Sequence, residues 1–317
     1  MLSVSIGVAT SDADNLNAEA LLRDADIAMY HSKQRGRGIC TVATKEMRLA
    51  VHDRSKTKNA LERAIENNEL FLHYQPIVAL DTREIRAVEA LVRWQHAERG
   101  LISPLEFVPI AEDSGLINRL GECVLHAACG QAARWRVEFG ETAPLPIHVN
   151  LAARQVAQPD LFALVRDVLN EYGVPPSDIV LEITESALID GSRGPIAALL
   201  ELKRMGVSIV LDDFGTGYSS LSYLERFPID TLKIDRAFVT KIKDPVAPSP
   251  IVAAIVGMAS ALAVGTVAEG VETADQAAAV AALGCQHAQG YFFARPAPAP
   301  RTTQLVRDNM PLPVQVA

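Results

Sequence analysis

Residues 178–215 contain three consecutive stretches that decide the fold: DIVLEITES (178–186), AALLELKRMG (197–206) and VSIVLDDFG (207–215). The first and third are nearly continuous apolar runs that end in acidic residues. The second places leucine and methionine at helical spacing and ends on glycine. An apolar strand, a helix and another apolar strand in succession are typical of parallel strands buried on both faces. This segment therefore predicts a parallel α/β architecture.

The same alternation extends in both directions from this segment. Further apolar runs, separated by helical segments, are PIHVNLA (146–152), TLKIDR (231–236), GTVAEGVE (265–272) and AQGYFFARP (288–296). FLHYQPIVAL (71–80) and IRAVEALVRW (85–94) flank a turn at Asp81–Thr82 and predict an antiparallel hairpin. Eight strands over roughly 240 residues fit a closed (β/α)8 barrel. An open doubly wound sheet is the alternative, but the glycine-rich phosphate-binding turn expected after its first strand is missing.

The first forty or so residues predict a separate small unit. LSVSIGVAT (2–10) and ICTVA (39–43) have the pattern of strands, and AEALLRDADIAMYHSKQRGRG (18–38) has that of a helix. Two strands and one helix are too few to enclose a core, so this unit either packs on the rest of the chain or belongs to a larger domain. Residues 45–68 are rich in charge with helical periodicity and predict a linker helix.

Composition narrows the expected partners and compartment. The formal net charge of −8 disfavours binding to nucleic acid polymers and to anionic membranes. Residues 251–268 carry no charge, but they are rich in alanine and interrupted by Gly257 and Gly265, which favours a buried helix and strand over a membrane span. The N-terminus has no signal-peptide pattern, so we expect a cytoplasmic protein.

Polar side chains end seven of the predicted strands. In chain order they are Glu89, Asn150, Glu182, Asp212 with Asp213, Lys233, Glu269 and Gln289. A single such residue is usually a helix cap or a surface hydrogen-bonding group. The strand ends of a barrel converge on one mouth, however, and active sites of this architecture lie there. Polar residues at the ends of seven strands therefore predict a functional site at this mouth.

The residue types at these strand ends predict metal chemistry. Carboxylates brought together in a small space repel one another unless cations hold them. All predicted ligands are oxygen donors, which favours Mg²⁺ or Mn²⁺ over zinc or copper. The adjacent Asp212 and Asp213 suit a pair of ions, and a nearby lysine suits phosphoryl chemistry. Lys233 can hold a water or a phosphate oxygen, and Glu269 can take a proton.

The sequence also indicates the character of one loop, two histidines and the four cysteines. The segment DDFGTGYSSL (212–221) is predicted to be a mobile loop at the mouth, with Gly215 and Gly217 as hinges. His73 and His148 lie within apolar strands, so we expect core or rim residues there. The four cysteines form no CxxC pair and predict reduced thiols.

An ordered series of motifs closely resembles the EAL-domain family of bacterial cyclic di-GMP phosphodiesterases, from about residue 58 to Pro296. The motifs are YQPI (74–77), EALVRW (89–94), ISPLEFVPIAEDSGLI (102–117), HVNLAARQ (148–155), LEITES (181–186), LDDFGTGYSSL (211–221), LKIDR (232–236), AEGVET (268–273) and QGYFFARP (289–296). The resemblance implies a modified TIM-type barrel with one antiparallel strand, which agrees with the predicted hairpin. It assigns residues 58–310 to an EAL phosphodiesterase barrel and residues 45–57 to a linker helix.

Residues 1–44 resemble the C-terminal part of a GGDEF domain. The GGDEF turn and the metal-binding aspartate of that family would precede this part and are not in this sequence. We therefore expect that this fragment cannot synthesise cyclic di-GMP.

The EAL resemblance also implies an activity and a set of site residues. The family hydrolyses cyclic di-GMP to linear pGpG with two Mg²⁺ or Mn²⁺ ions. Lys233 and Glu269 correspond to the catalytic lysine and general base, and Glu185 to the glutamate that anchors the DDFGTG loop. The implied metal ligands are Glu89, Asn150, Glu182, Asp212 and Asp213. The implied substrate-binding residues are Gln75, Glu89, Leu91, Arg93, Asp235 and Gln289.

Departures from the family pattern are mild: Ala152 where serine is usual, Ala97 where proline is common, and AVGTV (263–267) where leucine-rich sequence is usual. The complete ligand set favours an active phosphodiesterase over a silent cyclic di-GMP receptor, with a barrel enzyme for another phosphate ester as the third reading. Family members often pair near the DDFGTG loop, so a homodimer is expected. The apolar residues there, which alternatively pack on the barrel, are Tyr218, Leu221, Tyr223 and Leu224.

Overall fold

A computed structural model describes residues 3–11, 17–34, 36, 38–140, 144–185, 187, 193–215, 227–242 and 249–308. The chain divides into two compact units, an N-terminal unit (residues 1–63) and a barrel unit (residues 64–317). No helix in the described ranges is both long and apolar enough to cross a membrane.

The N-terminal unit has the predicted strand–helix–strand order. It consists of β1 (Ile6–Val8), α1 (Ala18–Gln34), β2 (Cys40–Val42) and most of α2 (Lys45–Glu66). The two strands pair in parallel, with Ile6 opposite Cys40. A Cβ atom at Gly7 would lie only 1.9 Å from the Ala25 carbonyl oxygen, so glycine allows α1 to pack directly on β1.

The barrel unit closes through the predicted hairpin. Its strands are β3 (Leu70–Ala79), β4 (Ile85–His96), β5 (Gly100–Ile102), β6 (Ile147–Leu151), β7 (Ile179–Thr184), β8 (Ser208–Phe214), β9 (Thr231–Ile234), β10 (Gly265–Ala268), β11 (His287–Ala288) and β12 (Ala297–Pro298). Among the described residues, eight of these strands form a closed ring in the order β3-β4-β6-β7-β8-β9-β10-β11 and back to β3. Strand β3 is antiparallel to both neighbours, and the other neighbouring pairs are parallel. The predicted modified barrel is confirmed.

Helices follow the strands and cover the outside of the barrel. They are α3 (Pro104–Ser114), α4 (Ile117–Phe139), α5 (Ala153–Val156), α6 (Leu161–Tyr172), α7 (Arg193–Met205), α8 (Arg236–Val239), α9 (Pro250–Ala261), α10 (Ala274–Ala282) and α11 (Ala299–Arg307). The uncharged stretch 251–268 folds as most of α9 and then β10, as its composition predicted. Helix α10 begins with a capping box, in which Thr273 and Gln276 each bond the backbone of the other.

The alternation of side chains along each strand separates two environments. Ile147, Val149 and Leu151 of β6 point into the apolar layer beneath the helices. His148 and Asn150, with the opposite orientation, contact residues of the barrel interior. Inside the barrel, Ile77, Ala87 and Val267 form a separate apolar cluster. Most of the polar residues predicted at strand ends lie at or next to the carboxyl ends of the parallel strands, whereas Glu89 lies within β4.

Candidate active site at the barrel mouth

Lys233 lies at the centre of the polar cluster. Strand β9 carries it into the barrel, where its side chain is 0% exposed. Among the described residues, its Nζ lies 2.6 Å from Glu269 Oε1, 2.9 Å from Glu182 Oε2, 3.4 Å from Glu89 Oε2 and 3.7 Å from Asp212 Oδ1. A buried ammonium group is stable only when opposite charges surround it. The structure therefore brings these strand-end carboxylates together around one lysine.

Glu89 is fixed by two side-chain amides. Asn150 Nδ2 donates to Glu89 Oε1 over 2.8 Å, and Gln289 Nε2 donates to Glu89 Oε2 over 2.6 Å. Gln289 Nε2 also reaches Gln75 Oε1 at 3.0 Å, and Gln75 Nε2 donates to the Ala294 carbonyl. Because Asn150 donates through its nitrogen, its carbonyl oxygen is left to act as a ligand. The buried Gln289 Oε1 has no hydrogen-bond partner among the described residues.

Glu182 is the most deeply enclosed carboxylate of the cluster. Its Oε2 bonds Lys233, and its Oε1 lies 2.7 Å from His148 Nδ1. His148 is buried, as the sequence predicted, but its contact with Glu182 was not predicted. The sequence pattern that could have predicted this contact is the alternation along β6, because residues two positions apart on a strand lie on the same face. If Asn150 points into the barrel, His148 must do so as well.

Asp212 and Asp213 reach the mouth through an irregularity in β8. Pairing between β8 and β9 shifts register between Leu211 and Phe214. Asp213 has a φ of 54°, in the left-handed region that residues other than glycine rarely adopt. Without such a distortion, successive side chains of a strand point to opposite faces. Carboxylate oxygens of Asp212, Asp213 and Glu269 consequently lie within 4.8 Å of one another.

The electrostatics show that this cluster lacks positive charge. Burial raises the pKa of Glu182 well above its usual range. Burial, reinforced by Asp212 and Glu89, raises the pKa of Glu269 to about 8 against the opposing effect of Lys233. Burial and Asp212 raise the pKa of Asp213 to about 6. For Glu89, burial is outweighed by Lys233 and by the amide hydrogen bonds, which hold its pKa below the ordinary value. One lysine is not enough to keep all of these carboxylates ionised.

These residues fit a hard divalent cation. The candidate ligands offer carboxylate and amide oxygens, as Mg²⁺ and Mn²⁺ prefer. The raised carboxyl pKa values indicate that the cluster holds protons where a cation would otherwise compensate the charge. The buried Gln289 Oε1, which has no hydrogen-bond partner among the described residues, offers one more oxygen to a cation or its bound water.

A cavity of about 250 Å³ opens beside the cluster. The sequence-predicted residues that line it are Gln75, Glu89, Leu91, Asp212, Glu269 and Gln289. It is also lined by Arg236, Gly270, Glu272, Gly290 and Tyr291, which lie within the family motifs but were not predicted as site residues. The Arg295 guanidinium stacks over the Tyr291 ring at 4.2 Å, which places one more positive charge near the mouth.

Two predicted substrate-binding residues have other contacts in the structure. Arg93 is half-buried, and its Nη1 donates to the Val92 carbonyl over 2.8 Å. Asp235 is the N-cap of α8, where its Oδ1 accepts from the Ala237 amide at 2.8 Å. Neither is among the residues that line the cavity described above. Their substrate-binding role stays a prediction.

Glu185 contacts the start of the predicted loop. Its Oε2 accepts from the Gly215 amide at 3.3 Å, and its Oε1 is buried with no hydrogen-bond partner among the described residues. Gly215 has a φ of 94°, a conformation that glycine adopts without strain. The rest of the predicted loop and dimer surface, with Gly217, Tyr218, Leu221, Tyr223 and Leu224, lies outside the described residues.

A larger cavity, of about 640 Å³, lies elsewhere on the barrel unit. It is lined by residues of β3 and α4, among them Phe71, Tyr74, Cys123 and Arg134. Its described lining includes none of the strand-end polar residues. Its size would favour this cavity as the active site, but the titratable strand-end residues converge on the smaller cavity, which we therefore take as the candidate active site.

Comparisons with known proteins identify the family of this chain. The family described as "EAL domain" matches residues 58–296. The chain is 43% identical over 298 residues to "Cyclic di-GMP phosphodiesterase PdeR" of Escherichia coli, covering 94% of this chain and 44% of that protein. It is 41% identical over 298 residues to "Bifunctional diguanylate cyclase/cyclic di-GMP phosphodiesterase MucR" of Pseudomonas aeruginosa, covering 94% and 43%. It thus spans less than half the length of these curated relatives.

Among solved structures, the chain resembles "PaMucR Phosphodiesterase, c-di-GMP complex" with a TM-score of 0.73 and 42% identity. The match covers 78% of this chain and 99% of that one.

Proposed function

This chain belongs to the EAL domain family, and we propose that it hydrolyses cyclic di-GMP to linear pGpG with two bound Mg²⁺ or Mn²⁺ ions, lowering the concentration of this second messenger. The observation that carries the proposal is the convergence of Glu89, Glu182, Asp212 and Glu269 on the buried Lys233. Such a cluster is costly to fold unless cations are bound.

The proposed metal ligands are Glu89, Asn150, Glu182, Asp212 and Asp213. When bound, the ions neutralise phosphate charge and lower the pKa of a coordinated water. Asn150 Nδ2 is bonded to Glu89, which orients the Asn150 carbonyl oxygen for ligation. The distorted backbone at Asp213 supports a separate role for each of the two adjacent aspartates.

We propose Glu269 as the group that accepts the proton of the attacking water. Lys233 Nζ bonds its Oε1 at 2.6 Å, which leaves Oε2 to take that proton. Its environment raises its affinity for protons, and a base whose pKa lies near the working pH is effective. Glu269 lines the cavity and is mostly buried, which supports a role beside a phosphate of a substrate bound there.

The substrate is proposed to contact the residues around the cavity. Gln75 and Gln289 form a hydrogen-bonded pair beside Glu89, and Leu91 gives the wall an apolar surface. Arg93 and Asp235 complete the proposed binding set, Arg93 by its charge and Asp235 by its position beside the cluster. Glu185 is proposed to hold the loop that begins at Gly215.

Residues 58–310 are proposed as the phosphodiesterase barrel and residues 45–57 as a linker helix. Residues 1–44 are proposed as the end of a GGDEF-type domain. The limits of the matched family, 58–296, support the first assignment. The strand–helix–strand order of the N-terminal unit is compatible with the last.

Product analysis tests the proposed activity. The protein is incubated with cyclic di-GMP and Mg²⁺, and the nucleotides are separated by chromatography. We expect pGpG, no product in excess EDTA, and recovery of activity with added Mg²⁺ or Mn²⁺. Ca²⁺ should not restore activity, because it is larger and tolerates irregular coordination. Binding of cyclic di-GMP without product in both Mg²⁺ and Mn²⁺ would identify a receptor instead, and product formation in excess EDTA would contradict the metal requirement.

A further inference from the structure

His148 is a buried histidine that contacts Glu182, one of the proposed metal ligands. Strand β6 carries it two residues before Asn150, so both side chains point into the barrel. The residue is 7% exposed. Its Nδ1 lies 2.7 Å from Glu182 Oε1, a short hydrogen-bond distance for a nitrogen and a carboxylate oxygen.

The two carboxylate oxygens of Glu182 have different partners. Oε1 faces His148, and Oε2 faces Lys233 at 2.9 Å. The Glu182 side chain is 0% exposed, so rotating its carboxylate group would break both contacts in a place that water cannot reach. Glu182 therefore has one oxygen held by His148 and one that points toward Lys233 at the centre of the cluster.

We propose that His148 is a positioning residue, which donates a hydrogen bond from Nδ1 to Glu182 Oε1 and so presents Oε2 as the oxygen that ligates the metal. This inference rests on the proposed function, in which Glu182 is a ligand. A ligating carboxylate is ionised and can only accept hydrogen bonds, so the proton of this contact is on the histidine. Partners that orient metal ligands in this way typically change metal affinity by about 10- to 100-fold when they are removed.

A purely structural role for His148 makes a different prediction. A histidine that only fills space in the barrel would, when replaced, change thermal stability and leave metal affinity of the folded protein unaltered. Metal affinity measured without substrate therefore separates the two roles, and it does so without reference to catalysis.

Three substitutions distinguish a positioned donor from side-chain volume. His148→Asn places an amide nitrogen where Nδ1 lies. His148→Gln moves that nitrogen out toward the position of Nε2. Leucine in His148→Leu has the same number and branching of heavy atoms as asparagine but no donor. His73→Leu is the matched control, because this histidine lies on β3 and contacts Phe71 rather than a proposed ligand.

Calorimetric titration with Mn²⁺, on the full chain and without substrate, is the test. We expect His148→Leu to weaken Mn²⁺ binding by about 10- to 100-fold, and His148→Asn and His73→Leu to stay within about 3-fold of the wild type. Equal affinity of the His148→Leu and wild-type proteins would overturn the proposal. If His148→Leu does not fold, tighter binding by His148→Asn than by His148→Gln supports the proposal, and equal or weaker binding overturns it. A wild-type protein that binds no Mn²⁺ would instead refute the metal site itself and this inference with it.

Discussion

Replacing Lys233 by methionine keeps most of the length of the side chain and removes its charge. Among the described residues, this is the only positive charge within 3.7 Å of the four clustered carboxylates, Glu89, Glu182, Asp212 and Glu269. At an effective dielectric constant of about 20, each contact of 2.6 to 3.7 Å contributes roughly 4–6 kcal/mol of attraction. Repulsion among the carboxylates and desolvation of the ammonium group offset most of this sum. Removing one partner of a buried ion pair typically costs about 3–5 kcal/mol. For a chain of this size, the melting temperature should fall by roughly 10 °C.

Thermal unfolding followed by circular dichroism in EDTA measures this loss. Two conditions should reduce it: millimolar Mg²⁺, because the cation replaces the missing charge, and pH near 5.5, because the raised pKa values of Glu182 and Glu269 let those groups take up protons. Lys203→Met is the control. Lys203 pairs with Asp230 in a partly exposed position, so its replacement should cost about 1 kcal/mol or less. A Lys233→Met protein with the wild-type melting temperature in EDTA near pH 8 would refute the electrostatic account.

Three further predictions concern the pH dependence of stability, the contact of Glu185 with the loop and the oligomeric state. In EDTA, the raised pKa of Glu269, about 8, means that the folded protein keeps a proton that the unfolded chain loses above its ordinary carboxyl pKa. The free energy of unfolding should therefore fall as pH rises from about 5 to about 8, and Mg²⁺ should reduce this dependence on pH. A free energy of unfolding in EDTA that rises over this interval would contradict the prediction. Glu185→Ala removes the contact with the Gly215 amide and should lower kcat by up to about 10²-fold, because the loop is then misplaced. The circular dichroism spectrum should not change. Wild-type kinetics in this variant would show that the loop needs no such anchor. Light scattering at micromolar concentration should give the mass of a homodimer, and a monomer mass counts against that expectation.

Much of the fold could be predicted because its signals are local. The apolar runs and helical segments are long enough to distinguish parallel strands from the hairpin of β3 and β4. The ends of parallel strands in a barrel converge on one mouth, so the sequence also predicted that Lys233 and Glu182 lie in the same site.

Other features of the site depend on distances and backbone angles that the sequence does not carry. The positive φ of Asp213 orients its carboxylate, yet nothing in the pair DD distinguishes a bulged strand from a regular one. The side-chain conformation of Arg93 directs its Nη1 to a neighbouring carbonyl, which motif matching could not anticipate. The contact of His148 with Glu182 requires the register between β6 and β7, which pairs Asn150 with Glu182 and so sets His148 beside the same carboxylate.

The most direct test of hydrolysis compares wild-type protein and Glu269→Gln for pGpG formation at saturating cyclic di-GMP with Mg²⁺. Calorimetry in Ca²⁺ measures the affinity of both proteins for the intact dinucleotide. We predict that the wild type forms pGpG, and that Glu269→Gln binds cyclic di-GMP within a few-fold of wild-type affinity while its rate falls by ~10²–10⁴. Turnover by Glu269→Gln at the wild-type rate would contradict Glu269 as the base, and a wild-type protein that binds the dinucleotide without forming pGpG would contradict the enzyme itself.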